Sequence, residues 1–499
     1  MKKQAIIIGG GISGLTTGIF LRRNGYDTLI LEKNHVPGGA CIGWERKGCY
    51  IDGCIHWLVG VKPNTATRKL WDSIGALSPE VQVLSPEDFY TIDFGNGKKL
   101  TIWSDIDKFQ KELIEFAPED TKQIKKFCKL IKRFGKINAP VDKPVDLMNL
   151  FELMKIGLTM AGDYYNILKT ANVSCKEYAK KFKNPYIRKW VGEHMVADYN
   201  FMSMLYMLGH VVAKDGGIPV GGSKKFSDRV LDCYLSLGGE IRYNAEVENV
   251  NVENDTAVSV TLKNGEVFNA DWIVSSIPCE HLLKKLLKGK YAVKKLDTRL
   301  KDRKTYPIYT YTSAIFKINA DLSDEPISHQ IYFDKPITLH KDYYDASFRN
   351  FSYDKTLKVP EGHTIVSATI SDNDDLYFYW KDIKENGNYI EKKREIAHKL
   401  IEVYLTRHPE LEGKIEVIDV TTPLTYERYL NGRHGSFQSF VETPKGKSLM
   451  QKGVIKGLKN FILSGQWILR SGGLPPAAIT GKWAAQRICK KDKVKFKMS

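Results

Sequence analysis

Three glycines near the start of the chain, Gly9, Gly11 and Gly14, stand in the spacing Gly-x-Gly-x-x-Gly, and Glu32 follows 18 residues after the last of them. The chemistry open to such a set is the grip on a dinucleotide. The first glycine permits a tight turn, the second lets the backbone approach a pyrophosphate, and the third lets helix and strand pack closely. A carboxylate at the position of Glu32 accepts hydrogen bonds from ribose hydroxyls and repels a 2′-phosphate. Ile12 and Ser13 lie inside the glycine turn, and Lys33 follows the acid.

The elements that must hold these residues are present in order. Ala5-Ile6-Ile7-Ile8 is a continuous apolar run, as a buried parallel strand requires. Ile12, Leu15 and Ile19 recur at helical spacing, and Gly25 sits where a helix C-cap belongs. Thr28-Leu29-Ile30-Leu31 then forms a second strand that delivers Glu32. This unit alone does not separate FAD from NAD.

Three further segments favour FAD. Pro37-Gly38-Gly39-Ala40 brings paired glycine amides close behind the acid, where they can reach the same pyrophosphate. Pro219-Val220-Gly221-Gly222-Ser223 precedes an amphipathic helix ended by Gly238-Gly239. Short strands follow around Ile241, Val247 to Val252, Val258 to Leu262 and Val267, with a hairpin signal at Asn264-Gly265, and the apolar strand Trp272-Ile273-Val274 returns the chain to the nucleotide sheet. Near the C-terminus a strand through Phe461 to Leu463 ends in Ser464-Gly465, and Ser471-Gly472-Gly473-Leu474-Pro475-Pro476 opens a helix. The N-terminus of that helix is expected to offer amides and a positive dipole to the electron-rich edge of a flavin.

With these patterns in order, the sequence resembles the phytoene desaturase-like branch of the FAD-dependent oxidoreductases, which includes carotenoid desaturases, carotenoid isomerases and retinol saturases. The resemblance rests on Gly9-x-Gly11-x-x-Gly14 with Glu32; Pro37-Gly38-Gly39; Tyr50-Ile51-Asp52-Gly53-Cys54-Ile55-His56-Trp57; Pro219-x-Gly221-Gly222-Ser223; Thr422-Pro423 with Asn431, Gly435 and Ser436; and Ser464-Gly465 with Gly472-Gly473-Leu474-Pro475. The Asp52 to Trp57 stretch is most similar to retinol saturase and carotenoid isomerase relatives. Two departures bear on substrate identity. Ala40-Cys41 stands where many relatives carry an arginine, and Gln466-Trp467 stands where related flavoproteins carry an acid.

The resemblance implies an α/β fold: a Rossmann-like FAD-binding domain built from discontinuous segments, with an inserted α+β substrate domain containing a mixed sheet. The expected boundaries are 1–85, 219–285 and 455–499 for the FAD domain, and 86–218 and 286–454 for the substrate domain. Expected cofactor contacts are Gly9, Gly11, Ile12, Ser13, Gly14, Glu32, Lys33, Gly38, Gly39, Ala40, Val247, Gly465, Gly473, Leu474 and Pro475. The substrate domain contributes runs such as Thr310 to Ile318 and His363 to Ile370, and helices such as Tyr389 to Leu405.

For the reaction, hydride exchange between a substrate carbon and the flavin needs a dry pocket and close approach. His56 is the candidate acid or base, since imidazole ordinarily titrates near neutral pH; its other reading is a hydrogen-bonded packing residue. His434 is a weaker candidate. Arg470 is placed to stabilise negative charge on a reduced flavin, or else to form a surface ion pair. Desaturation, saturation and isomerisation all set a double bond beside a flavin, and these residues do not choose among them. An amine oxidase-like flavoenzyme and a non-catalytic lipid-binding escort of the same fold stay open as alternatives.

The totals bound the rest. The 499 residues exceed one ordinary core, and a mean hydropathy of −0.32 fits a soluble globular chain. No apolar run approaches the ~18 residues of a spanning helix; the run Ala5 to Ile8 is too short for a signal h-region and ends in glycines, so a cytoplasmic location is expected, with peripheral membrane contact as an option. The net charge of +17 is spread along the sequence, which argues against a nucleic-acid surface and fits anionic headgroups or plain solubility. The eight cysteines show neither a CxxC pair nor zinc-ligand spacing, so they are expected to be reduced thiols and no metal is expected. No second dinucleotide fingerprint appears in 86–215 or 286–450, which leaves the electron partner open among the substrate, a quinone, dioxygen and another protein. The methionine-rich stretches Leu147 to Met160 and Phe201 to Leu208 fit buried core first, then the lining of a lipid tunnel, then a bilayer contact.

Overall fold

The structure is a computed structural model and describes residues 2–137, 141–193, 198–447, 450–470 and 472–499. Ser471 and the side chain of Met160, both invoked above, lie outside the described residues.

Five parallel strands form the nucleotide layer, in the order Glu240–Arg242, Asp27–Leu31, Gln4–Ile8, Trp272–Ser275 and Phe461–Leu463. The central strand is apolar on both faces because both are covered: Ile6, Ile7 and Ile8 are all buried. On one side Ala5 and Ile7 pack with the helices Ile12–Arg23, Gly222–Ser236 and Leu474–Lys491. On the other, Ile6 and Ile8 meet a small antiparallel sheet of Val247–Glu253, Thr256–Leu262 and Val267–Asn269. That second core also takes in Val293, Leu296, Ile308 and Phe440. Asn264-Gly265 turns the hairpin, with Gly265 at φ 89°. Segments from the beginning, middle and end of the chain thus build one sheet, as an FAD domain of discontinuous segments requires.

The second layer is a seven-stranded sheet ordered Ile415–Thr421, Thr310–Ile318, Thr364–Asp372, Asp342–Asn350, Ser328–Thr338, Asp88–Asp93 and Lys99–Trp103. It is mixed: the pair Asp88–Asp93 with Ser328–Thr338 runs parallel, the others antiparallel. Helices Asp375–Glu385 and Tyr389–Leu405 cover one face through Trp380, Ile396 and Leu400. A helical cluster holding Thr121–Phe134, Pro185–Glu193 and Phe201–Val212 packs around Phe127, Trp190 and Phe201. The strand Gly216–Pro219 ties this insertion back by pairing with Leu58–Val59 and Val83–Leu84.

The two methionine-rich stretches have different fates. In the helix Phe201–Val212, Met202, Met204, Leu205 and Leu208 are buried. The helix Leu150–Ala171 overturns the core reading for its stretch. Phe151 is 74% exposed and Leu158 76%, and Leu150 and Met154 are exposed with them, because no further element among the described residues covers that face. Asn149 and Glu152 form a capping box that starts this helix. Among the described residues no helix is long and apolar enough to cross a membrane.

Candidate functional site

The strand Gln4–Ile8 ends in Gly9, whose φ of 99° makes the turn into the helix at Ile12. A Cβ on Gly14 would lie 2.0 Å from the Gly9 carbonyl, so this glycine serves the close packing of helix on strand. A Cβ on Gly11 would meet nothing of the protein nearer than 3.7 Å and would instead fill the space beside it. Gly38 donates its amide to the Gly10 carbonyl at 2.9 Å and forms a bridge with Gly11. The two glycine motifs therefore lie side by side. Glu32 is buried. Its Oε2 accepts the Gly10 amide at 2.7 Å, and its Oε1 accepts the Asn34 amide and side-chain nitrogen at 2.8 and 2.9 Å.

The C-terminal segment joins the same site. Ser13 Oγ lies 3.0 Å from Ser464 Oγ, and Thr17 Oγ1 donates to the Gly481 carbonyl. Gln466, at the position where an acid was noted as missing, uses its neutral amide as a bridge. Its Nε2 donates to the Phe437 carbonyl, and its Oε1 accepts the Gly473 amide at 2.7 Å. The helix Leu474–Lys491 offers fewer amides than its N-terminus suggested. Pro475 and Pro476 carry no amide hydrogen, and Ala477 donates to the Gly473 carbonyl, so Leu474 supplies the amide of that first turn.

A cavity of about 1270 Å³ runs from these glycines to the mixed sheet. Of the expected cofactor residues, Gly9, Gly11, Ile12, Ser13, Glu32, Lys33, Gly38, Gly39, Ala40, Val247, Gly465, Gly473, Leu474 and Pro475 all line it, as do His56 and Arg470. Gly14 does not, since it packs inward. The residues fit a dinucleotide with a flat ring: bare backbone at Gly11 and Gly473, where an added Cβ would project into the open space, and a buried acceptor-only carboxylate at Glu32. Lys33 Nζ donates to the Arg428 carbonyl and to Asn431 Oδ1, both at 2.8 Å, and Asn431 lines the cavity as well.

The candidate acid–base groups fare differently. His56 is exposed to the cavity that it lines. Desolvation by the protein around that cavity, and then the Arg349 guanidinium, push its imidazole down to about 3. His56 is therefore neutral near pH 7, which corrects the expectation of a group titrating there. His434 does not line the cavity; its Nδ1 lies 2.7 Å from Asp374 Oδ2, and its ring stacks on Tyr377. Arg470 is exposed on the cavity rim, where its charge opposes the burial that raises the pKa values of Glu442 and Tyr206. All eight cysteines are free thiols, and burial raises that of Cys41 well above its ordinary range.

Several cavity residues escaped the sequence reading. His210 Nδ1 lies 3.0 Å from Asp215 Oδ2, both buried. Tyr311 and Tyr426 share a hydrogen bond. Arg349 is only 6% exposed and donates to the His56 carbonyl at 2.7 Å. The available signal for Arg349 was strand alternation: Ser347 and Arg349 share one face of Asp342–Asn350.

A parallel nucleotide sheet whose glycine turns converge on one cavity beneath a mixed substrate sheet defines an FAD-dependent oxidoreductase. The chain belongs to the flavin-containing amine oxidoreductase family, whose profile matches residues 12–489. It is 22% identical over 505 aligned residues to a lycopene-forming phytoene desaturase of Paracoccus sp., covering 97% of each chain. It is 26% identical over 463 residues to the chloroplastic prolycopene isomerase of Daucus carota, covering 89% of this chain and 73% of the relative. In fold it is similar to cyclohexylamine oxidase from Brevibacterium oxydans, with a TM-score of 0.60 at 15% identity, covering 99% of this chain and 100% of the oxidase. An oxidoreductase from Methanosarcina mazei gives 0.59 at 14% identity, covering 98% and 100%.

Proposed function

We propose that this enzyme desaturates, saturates or isomerises carbon–carbon bonds of a hydrophobic unsaturated substrate, an isoprenoid, carotenoid, retinoid or related lipid. The observation that carries the reading is the continuity of the cavity: the space beside Gly11 and Gly473 extends to Met202, Met207, Ile156 and Ile167 on the helices. The curated relatives named for phytoene and prolycopene support the same substrate class.

FAD, when bound, supplies the two-electron chemistry. In this reading Gly9, Gly11, Ile12, Ser13, Gly38, Gly39 and Ala40 surround the diphosphate, with Gly14 setting their backbone; Glu32 takes the ribose hydroxyls; Lys33 and Val247 flank the nucleoside; and Gly465, Gly473, Leu474 and Pro475 meet the ring. His56, neutral, orients substrate or ring through hydrogen bonds rather than by carrying charge. Arg470 holds positive charge at the rim. Residues 1–85, 219–285 and 455–499 act as the FAD domain, and 86–218 with 286–454 as the substrate domain.

The exposed apolar face of Leu150–Ala171 is assigned to the surface of a bilayer. Lys125, Lys126, Lys129 and Lys132 are exposed on the neighbouring helix Thr121–Phe134, whose Arg133 bonds to Asp163 and to the Gly162 carbonyl, and the chain carries +17 overall.

The test is to purify the yellow protein, identify co-purified lipid by mass spectrometry, and offer a polyene and a primary amine under anaerobic conditions. A polyene changed by two hydrogens, or converted to a geometric isomer, supports the reading. Flavin bleaching by the amine alone, with no bound lipid, overturns it in favour of an amine oxidase.

A further inference from the structure

The mixed sheet presents a polar row to the cavity. The register pairs Ser328 with Arg349 and Arg349 with Ser367 across three adjacent strands, and all three residues line the cavity. Side chains directly opposite one another on paired strands share a face. The next row on that face is Gln330, Ser347 and Thr369, of which Ser347 and Thr369 also line the cavity.

Arg349 is the unusual member. It is more than nine-tenths buried, and a guanidinium stays protonated in any protein environment. Among the described residues no carboxylate lies within ion-pair distance of it. Its Nη1 donates to Ser328 Oγ at 3.1 Å, and its Nη2 donates to the His56 carbonyl at 2.7 Å and to the Tyr353 hydroxyl at 3.3 Å. The rings of Phe351 and Tyr353 flank the guanidinium at 5.6 and 5.4 Å. Asp52, the carboxylate that feels its charge, is committed elsewhere: it accepts from the Ser223 amide and hydroxyl at 2.6 and 2.5 Å and from the Cys54 amide at 3.1 Å. Of the five guanidinium hydrogens three are used. The Nε hydrogen is buried without a partner, and one Nη1 hydrogen remains uncommitted.

A pure hydrocarbon in this cavity would leave that buried charge without a counter-ion and the free Nη1 hydrogen without an acceptor, an arrangement that folded proteins avoid. A carboxylate would accept from the remaining Nη1 hydrogen and from the Ser328 and Ser367 hydroxyls, closing a charge-assisted set. We infer that Arg349, with Ser328 and Ser367, forms a subsite for the carboxylate end of a long apolar substrate whose unsaturated chain extends along Met202, Met207 and Ile156. This rests on the lipid reading above and adds to it the chemistry of one terminus.

The test uses the FAD-loaded protein and two probes that differ only in charge, linoleic acid and methyl linoleate, each titrated while the difference spectrum of the bound flavin is followed. The acid is expected to bind at least about tenfold more tightly than the ester, with the advantage vanishing as pH falls through the acid's own pKa. Arg349→Gln should erase the preference; Arg349→Lys should keep part of it, because the charge survives while the planar fork does not. Equal affinities in the unaltered protein, or a preference that survives Arg349→Gln, overturn this subsite and leave the lipid reading standing. Failure of both probes to perturb the flavin overturns both. If Arg349→Gln does not retain flavin, Arg349→Lys and the pH dependence of the unaltered protein decide: a preference that does not change with pH overturns the subsite.

Discussion

Gly38 donates its backbone amide to the carbonyl of Gly10 at 2.9 Å, which sets two glycine turns from different parts of the sequence against one another. Backbone without side chains thereby forms one wall of the cavity, and Glu32, its carboxylate tied to the Gly10 amide, lines the cavity beside it. Each prediction below tests one part of this arrangement.

Gly11→Ala and Gly14→Ala should separate cofactor binding from folding. The methyl at Gly11 has room against the protein but occupies the cradle, so the variant should keep the apoprotein's thermal midpoint and emerge nearly colourless. The methyl at Gly14 meets the Gly9 carbonyl at 2.0 Å, and overpacking of this kind costs about 1–3 kcal/mol. Thermal unfolding of the apoproteins, read beside flavin absorbance, checks both.

Glu32→Gln should keep the fold and weaken FAD. Hydrogen bonds to a charged acceptor contribute about 1.5–3 kcal/mol each, so FAD affinity should fall by roughly 10- to 150-fold. Equilibrium titration of the apoprotein with FAD measures it, and an unchanged affinity would remove Glu32 from the ribose site.

His56 gives a pH signature. Its imidazole is held at about 3 in the folded chain against 6.5 in the unfolded one, so between those values the unfolded state binds the extra proton. This contribution makes stability fall as pH drops from about 6.5 toward 3 and leaves it flat above 6.5. Relative to His56→Gln, the unaltered protein should lose stability over that window in denaturant titrations. His56→Ala should lower turnover with flavin retained, without moving any inflection of the rate profile between about pH 5 and 8.

Phe151→Glu combined with Leu158→Glu should abolish sedimentation with vesicles of phosphatidylcholine and phosphatidylglycerol while leaving flavin content and thermal midpoint unchanged. Both side chains are about three-quarters exposed, so the substitutions disturb no packed core. Raised salt should weaken the binding of the unaltered protein by screening its lysines.

The parts of the site legible in the sequence are those with local geometry. A glycine turn, the helix after it and the strand ending at Glu32 are fixed by neighbours within about thirty residues, and their spacing gives them away. The runs Thr310 to Ile318 and Tyr389 to Leu405 were read to the residue, because a β-rich run and a helical repeat need no partner to be seen. For Arg349 strand alternation showed only that it shares a face with Ser347. Which face of its strand meets the cavity depends on pairing with Ser328–Thr338 and Thr364–Asp372, and nothing near it in sequence states that register. The parallel insertion of Asp88–Asp93 beside Ser328–Thr338 is hidden for the same reason. His56 could be singled out from its neighbours in sequence, but its lowered pKa could not, since the Arg349 charge that contributes to it comes from the far side of the chain.

The contact between Ser13 and Ser464 has a consequence for biosynthesis. The strand Phe461–Leu463 that completes the nucleotide sheet leaves the ribosome about 450 residues after the first glycine turn, so that turn waits through the synthesis of the whole intervening mixed sheet before Gly465 and Gly473 can face it.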